Sequence, residues 1–128
     1  MSRGIADTSM FIARASGCPL SETALPDELA ISVITIGELR AGVLAAADLD
    51  TRDRRLATLS GALTLEPLVV DQAVAETWAR LRVVLREMQR RMPVNDSWIA
   101  ATAISLGAPV VTQDDDYIEV PGLEIIRV

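Results

Sequence analysis

Asp7, Glu38, Asp96 and Asp114 are the residues whose type and placement could do chemistry in this chain. They stand in Ile5-Ala6-Asp7-Thr8-Ser9, Thr35-Ile36-Gly37-Glu38-Leu39, Val94-Asn95-Asp96-Ser97-Trp98 and Val110-Val111-Thr112-Gln113-Asp114. Two follow apolar runs that read as strands, and two stand near helix starts. Where strand and helix alternate, strand ends and helix starts gather at one edge of the sheet, where such folds bind ligands. Two carboxylates ~4 Å apart repel by roughly 4 kcal/mol at an effective dielectric of about 20. Four gathered together would call for a divalent cation. The donors are hard oxygens, which points to Mg²⁺ or Mn²⁺ rather than zinc.

Each acid also has a plainer reading. Asp7 could close an Asx-turn after its strand. Glu38 lies three residues after Thr35, the spacing of a capping box, unless the helix starts earlier at Ser32. Asp96 is a good N-cap type. Asp114 opens Asp114-Asp115-Asp116, and a charge run is commonly a solvated turn. These readings are independent, whereas one site accounts for all four positions. It also accounts for the polar neighbours Thr8, Ser9, Asn95 and Thr112.

The elements that must position these residues alternate. Ile5 to Asp7 reads as a short first strand, its start weakened by Arg3-Gly4, and Thr8 or Ser9 can cap a helix to about Ser16. Gly17 to Glu28 is a loop around Pro19 and Pro26. Leu29 to Ser32 is a second strand feeding a helix to about Asp48. Another helix covers roughly Asp50 to Leu63, and Leu65 to Val70 reads as extended. A long helix runs from Asp71 to Arg91, stopped before Pro93, with the apolar stripe Val74, Trp78, Leu81, Leu85, Met88 and Met92. Asn95 or Asp96 caps the next helix, which ends at Gly107. Pro109 to Thr112 and Glu124 to Val128 read as strands. The order is α/β, with a central, mainly parallel sheet flanked by helices.

The 128 residues suit one domain, 1–128, and half of them are hydrophobic, which argues against disorder. Glu38 and Arg40 interrupt the best membrane-span candidate, and Asp7 and Arg14 break the apolar N-terminus a secretory signal would need. The one cysteine, Cys18, has no internal disulfide partner. A cytoplasmic protein is expected. The net charge of −6 speaks against nucleic acid. Yet all twelve basic residues are arginine, so mechanisms needing a catalytic lysine or histidine are closed. Arg82, Arg86 and Arg90 recur at four-residue steps and either track a phosphate backbone or solvate their helix.

The ordered set of motifs resembles a PIN-domain ribonuclease, specifically a VapC-type toxin of a toxin–antitoxin pair. The resemblance rests on Asp7-Thr8-Ser9, Thr35-Ile36-Gly37-Glu38-Leu39 and Asn95-Asp96-Ser97-Trp98-Ile99-Ala100-Ala101-Thr102-Ala103. It continues through Val111-Thr112-Gln113-Asp114-Asp115-Asp116-Tyr117 and Gly122-Leu123-Glu124-Ile125-Ile126. It implies a PIN-like fold and a Mg²⁺ site, with Mn²⁺ able to substitute, that hydrolyses RNA phosphodiester bonds. Asp7 and Asp96 would be ligands, with Asp114 completing the cluster directly or through water. Glu38 would bind a second ion or orient the attacking water, and Asp116 would be an auxiliary acid or the fourth ligand itself. A cation would also neutralise the acidic pocket that phosphate must enter. The resemblance further implies a homodimer inhibited by a cognate antitoxin whose C-terminal segment covers the acidic groove. Helices such as Leu39 to Leu49 could supply an apolar groove for that peptide.

Rival classes fare worse against the same residues. A phosphoacceptor receiver domain resembles its relatives in a lysine that is missing here. A haloacid-dehalogenase-type phosphatase needs an aspartate two positions after Asp7, where Ser9 stands. A non-catalytic PIN-like regulatory or RNA-binding module keeps the acids without the activity, and a DNA-directed nuclease or general RNA-turnover factor keeps the chemistry with another substrate.

Overall fold

A computed structural model describes residues 2–128. The elements run β1 (Arg3–Ala6), α1 (Thr8–Ala15), β2 (Glu28–Ser32), α2 (Val33–Leu44), α3 (Leu49–Ala62), β3 (Pro67–Leu68), α4 (Gln72–Glu87), α5 (Val94–Leu106), β4 (Val110–Thr112) and β5 (Ile125–Arg127). The strands form one sheet in the order β3-β2-β1-β4-β5, every pairing parallel. From β1 the chain builds outward through β2 and β3, then crosses back to place β4 on the other side of β1. The switch point therefore lies between the carboxyl ends of β1 and β4, where such sheets open a crevice.

Strand alternation sends neighbouring residues to opposite faces. Ile5, Ala30 and Val110 pack with Leu81 and Leu85 of α4 and with Ile99 and Ala100 of α5. Ala6, Ile31 and Val111 pack with Met10 of α1, Leu39 of α2 and Leu59 of α3 on the other face. Both faces are covered, as short, near-continuously apolar parallel strands require. Among the described residues, no helix is long and apolar enough to cross a membrane.

Several boundaries differ from the sequence reading. β1 begins at Arg3 rather than Ile5, because Arg3 and Gly4 pair with Glu28 and Leu29 of β2. Gly4 fits its strand for a packing reason: a Cβ there would stand 2.7 Å from Val111 Cγ2 and 2.8 Å from Pro26 Cγ. Asp7 itself, not Thr8 or Ser9, is the N-cap of α1, accepting from the Met10 N–H at 3.1 Å. Ser32 caps α2, with its hydroxyl accepting from the Ile34 N–H, so Thr35 and Glu38 lie inside the helix and make no capping box. α2 ends at Leu44, because Asp48 already caps α3.

The largest difference is in α4. It stops at Glu87, and Gln89 takes a left-handed φ of 55°. The reversal carries Met92 back into the core while Met88 is left exposed. Arg90 consequently falls off the helix, and the regular stripe of Arg82, Arg86 and Arg90 does not exist as a stripe. Trp78 does not simply fill the core either. Its ring stacks on Trp98 of α5 at 4.1 Å, its Nε1–H donates to Ser97 Oγ at 2.9 Å, and the Arg82 guanidinium lies 4.9 Å above it. Finally, Pro93 caps α5 without a side-chain bond, so neither Asn95 nor Asp96 serves as a cap.

Candidate active site

The sheet edge gathers the acids from the bottom of the cleft upward. Asp7 leaves β1, whose last residues hydrogen-bond across to β4, with the Asp7 N–H donating to Val111 O at 3.0 Å. Its carboxylate is buried, 1% exposed. Oδ1 accepts from Ser9 Oγ at 2.7 Å and from the Met10 N–H, and Oδ2 accepts from Thr112 Oγ1 at 2.7 Å. Burial pushes the Asp7 pKa above the ordinary carboxylate value, the Asp114 charge adds to this, and the three donors oppose it. Ser9 and Thr112 thus fix the orientation of Asp7, which is what preparing a carboxylate for a ligand requires.

Asp96 stands in the first turn of α5, where the helix dipole favours an acid. Even so, burial raises its pKa to about 7, helped by the charges of Asp114, Asp7, Asp116 and Glu38 in that order. Asp96, Asp114 and Asp116 each offer an oxygen within 4.8 Å of the others. The loop after β4 sets the last two. The Asp114 N–H donates to Thr112 Oγ1, the Asp116 N–H donates to Asp114 Oδ1, and the Gln113 N–H donates to Ser9 Oγ. Asp115 points elsewhere and pairs with Arg127 at 3.1 Å. Among the described residues, ion pairs join Arg127 to Asp115 and Arg3 to Glu66, and none reaches the cluster. No side-chain cation among the described residues relieves this repulsion.

Glu38 forms the facing wall from α2. Its Oε1 accepts from the Thr8 hydroxyl at 2.6 Å, and that hydroxyl lies 3.2 Å from Thr35 Oγ1. The cleft between the walls, about 420 Å³, is lined by Asp7, Glu38, Asn95, Asp96, Asp114 and Asp116, among others. Thr8, Ile12 and Glu38 also line a second, larger groove of about 1130 Å³ between α1, α2 and α3, so the two are continuous. Arg54 and Arg55 border that groove, whereas Arg82, Arg86 and Arg90 border neither.

The structure therefore brings together Asp7, Glu38, Asp96, Asp114 and Asp116 with Thr8, Ser9, Asn95 and Thr112. It leaves the α4 arginines outside. Sequence reasoning assigned no role to Arg54, Arg55 or Tyr117, and gave Thr35 only a capping-box role with Glu38. Thr35 and Tyr117 stood inside quoted motifs, but only the fold shows where their hydroxyls go. An all-oxygen cluster of this kind fits a hard divalent cation. The inward and outward aspartates predict graded effects: Asp114→Asn weakens Mn²⁺ binding by roughly tenfold or more. Asp115→Asn changes it by less than about twofold, because an exposed pair such as Asp115–Arg127 contributes little. Asp116→Asn falls between. Calorimetric titration of the three variants checks this, and equal, small changes would show the run to be a solvated turn.

The chain is similar to known proteins over almost its whole length. The PIN domain family model matches residues 5–123. "Ribonuclease VapC5" of Mycobacterium tuberculosis is 52% identical over 128 residues, covering 98% of this chain and 95% of that protein. "Ribonuclease VapC4" of the same organism is 44% identical over 126 residues, covering 98% and 97%. Among solved structures, the VapBC-5 toxin–antitoxin system of Mycobacterium tuberculosis matches with a TM-score of 0.92, 49% identity and 100% of both chains covered. A DNA-bound VapBC from Salmonella typhimurium matches with a TM-score of 0.83 and 27% identity, covering 99% of this chain and 98% of that one.

Proposed function

This chain belongs to the PIN domain family, with VapC ribonucleases among its relatives, and from that premise we propose that it is the endoribonuclease toxin of a toxin–antitoxin pair, acting in the cytoplasm. The observation that carries the reading is the trio Asp96, Asp114 and Asp116, with oxygens within 4.8 Å and no arginine to neutralise it, above the oriented Asp7. These four would hold Mg²⁺, or Mn²⁺ in its place. The cation would lower the pKa of the attacking water and stabilise charge on the attacking and leaving oxygens.

The side chains then have separable tasks. Asp7 is held by Ser9 and Thr112, so its carboxylate loses little freedom when a ligand arrives. Glu38, held by Thr8 on the opposite wall, would orient water against the phosphate and accept its proton. Asn95 is exposed on the cleft wall, where its amide N–H can donate to a phosphate oxygen. Arg90 lies in the connection that leads to Pro93 and Asn95, and can meet the RNA backbone at the rim. Arg82 and Arg86 contribute to the field from farther along α4.

The continuous groove suits an antitoxin. Leu39, Gly42, Ala57 and Ile12 give it an apolar floor, and Arg54 and Arg55 border it. An amphipathic segment lying there reaches Thr8 and Glu38, from which a basic side chain can enter the acidic cleft and pair with the carboxylates. The complexes seen for structural neighbours support this reading, and a homodimer is expected from the same resemblance.

The test is cleavage of labelled single-stranded RNA by the purified protein. Cleavage is expected with Mg²⁺ or Mn²⁺, lost in excess EDTA and restored by metal, while DNA of the same sequence persists. Metal binding without cleavage of any RNA would instead mark a non-catalytic module.

A further inference from the structure

The chain has one tyrosine, Tyr117, directly after the acidic run. Its ring is 3% exposed and packs in the core with Ile5, Ile99, Ala100 and Val110. Among the described residues, its hydroxyl is the buried side-chain polar atom without a hydrogen-bond partner. Phenylalanine would fill the same space without that deficit, since a buried hydroxyl left unpaired is destabilising. The cluster it joins draws on β1, β2, α4, α5 and β4; Asp7 follows β1, Asp96 stands in the first turn of α5 and Asp114 lies just beyond β4. The carboxylates of Asp7, Asp96 and Asp114 all act on the hydroxyl, which therefore lies beside the acidic cluster. Burial first, then the charges of Asp7, Asp96 and Asp114 and the Asp7 carboxylate acting as an acceptor, push its pKa well above the ordinary phenol value.

Asp7 has the matching vacancy. Its Oδ1 already accepts two hydrogen bonds, while Oδ2 accepts one from Thr112. A carboxylate oxygen carries further lone-pair capacity. We propose that Tyr117 is a positioning residue of the acidic site, its hydroxyl donating to the Asp7 carboxylate when a divalent cation draws the acids together. The inference rests on the metal-site reading above. In the metal-free protein the hydroxyl lies beside Asp7 without a well-formed hydrogen bond, and metal binding recovers what burying it costs.

The sole tyrosine gives a clean readout. In protein labelled with ¹³C at the tyrosine Cζ, the single resonance is expected to shift on saturation with Mg²⁺ and return with EDTA. Tyr117→Phe is expected to melt about 3–5 °C higher without metal, because the unpaired hydroxyl is gone. The same variant is expected to bind Mg²⁺ roughly tenfold more weakly by calorimetry. A purely structural hydroxyl would change the melting temperature alone. An unmoved resonance, or a Mg²⁺ affinity equal to that of the unsubstituted protein, overturns the assignment while leaving the metal site standing. Failure of the unsubstituted protein to bind Mg²⁺ overturns both.

Discussion

Asp96→Asn is expected to lower metal-dependent RNA cleavage by roughly 100-fold or more and to relieve any growth arrest the active protein causes. In the proposed site, losing a ligand of the cation would remove several kcal/mol of transition-state charge stabilisation, at a factor of ten for each ~1.4 kcal/mol. The variant keeps its fold. Asp96 makes no capping bond, because Pro93 is the cap of α5. Its carboxyl is pushed up to about 7 by burial and by four neighbouring acids, so an amide there relieves repulsion in the metal-free state at pH 8. Asp7→Asn should abolish cleavage equally but is the less clean test. Its carboxylate takes donors on both oxygens, and an amide offers only one acceptor to Ser9, Met10 and Thr112. Paired assays of cleavage and thermal melting decide the matter. Full cleavage by Asp96→Asn would remove the acidic cleft from the mechanism, and loss of folding in place of activity would make Asp96 a structural acid.

A second large effect is pH linkage between metal and stability. With Asp96 as a ligand, as proposed, Mn²⁺ would have to displace its proton below pH 7, so the affinity should fall by about tenfold per pH unit there and level off above. The sign for stability is opposite. Asp96 titrates higher in the folded protein, about 7, than the 3.8 of the free side chain. The folded state therefore holds a proton the unfolded chain has released. This contribution is fully present below about pH 3.8 and is lost as pH rises through 7. Asp7, also raised by burial, acts in the same direction. Without metal, melting temperature should decline between pH 4 and 7 relative to Asp96→Asn, and saturating Mn²⁺ at pH 8 should restore it. Parallel pH profiles for the two proteins would show that Asp96 does not titrate as its surroundings require.

Much of the site is legible in the chain. Apolar strands alternating with helices predict a parallel sheet, and in such a sheet Asp7 and Asp114 must emerge at the same edge, since each follows a strand of like direction. Residue type alone sets the donor chemistry: without histidine, and with Cys18 far from every acidic motif, only oxygen can hold a cation at this edge. Periodicity and composition suffice for these points because they depend on which side chains must be buried, a property each residue carries with it.

Direction and termination depend instead on neighbours that are distant in sequence. Asp114, Asp115 and Asp116 are chemically alike, yet Arg127 of β5 draws Asp115 outward while Thr112 and Asp114 tie the loop so that two carboxylates face Asp96. The end of α4 carries no glycine signal. Gln89 adopts φ 55° as Met92 returns to the core and Pro93 starts α5, and this takes Arg90 away from Arg82 and Arg86. Asp7 reads as a turn residue, but β4 brings Thr112 to it and turns an ordinary helix cap into a buried, oriented carboxylate. The Tyr117 hydroxyl depends on the same closure, because the core packed around its ring removes water from it. Residue types along the chain limit the chemistry open to this edge, while the folded arrangement selects which copies of each side chain face it, because burial and long-range hydrogen bonds distinguish residues that local patterning cannot tell apart.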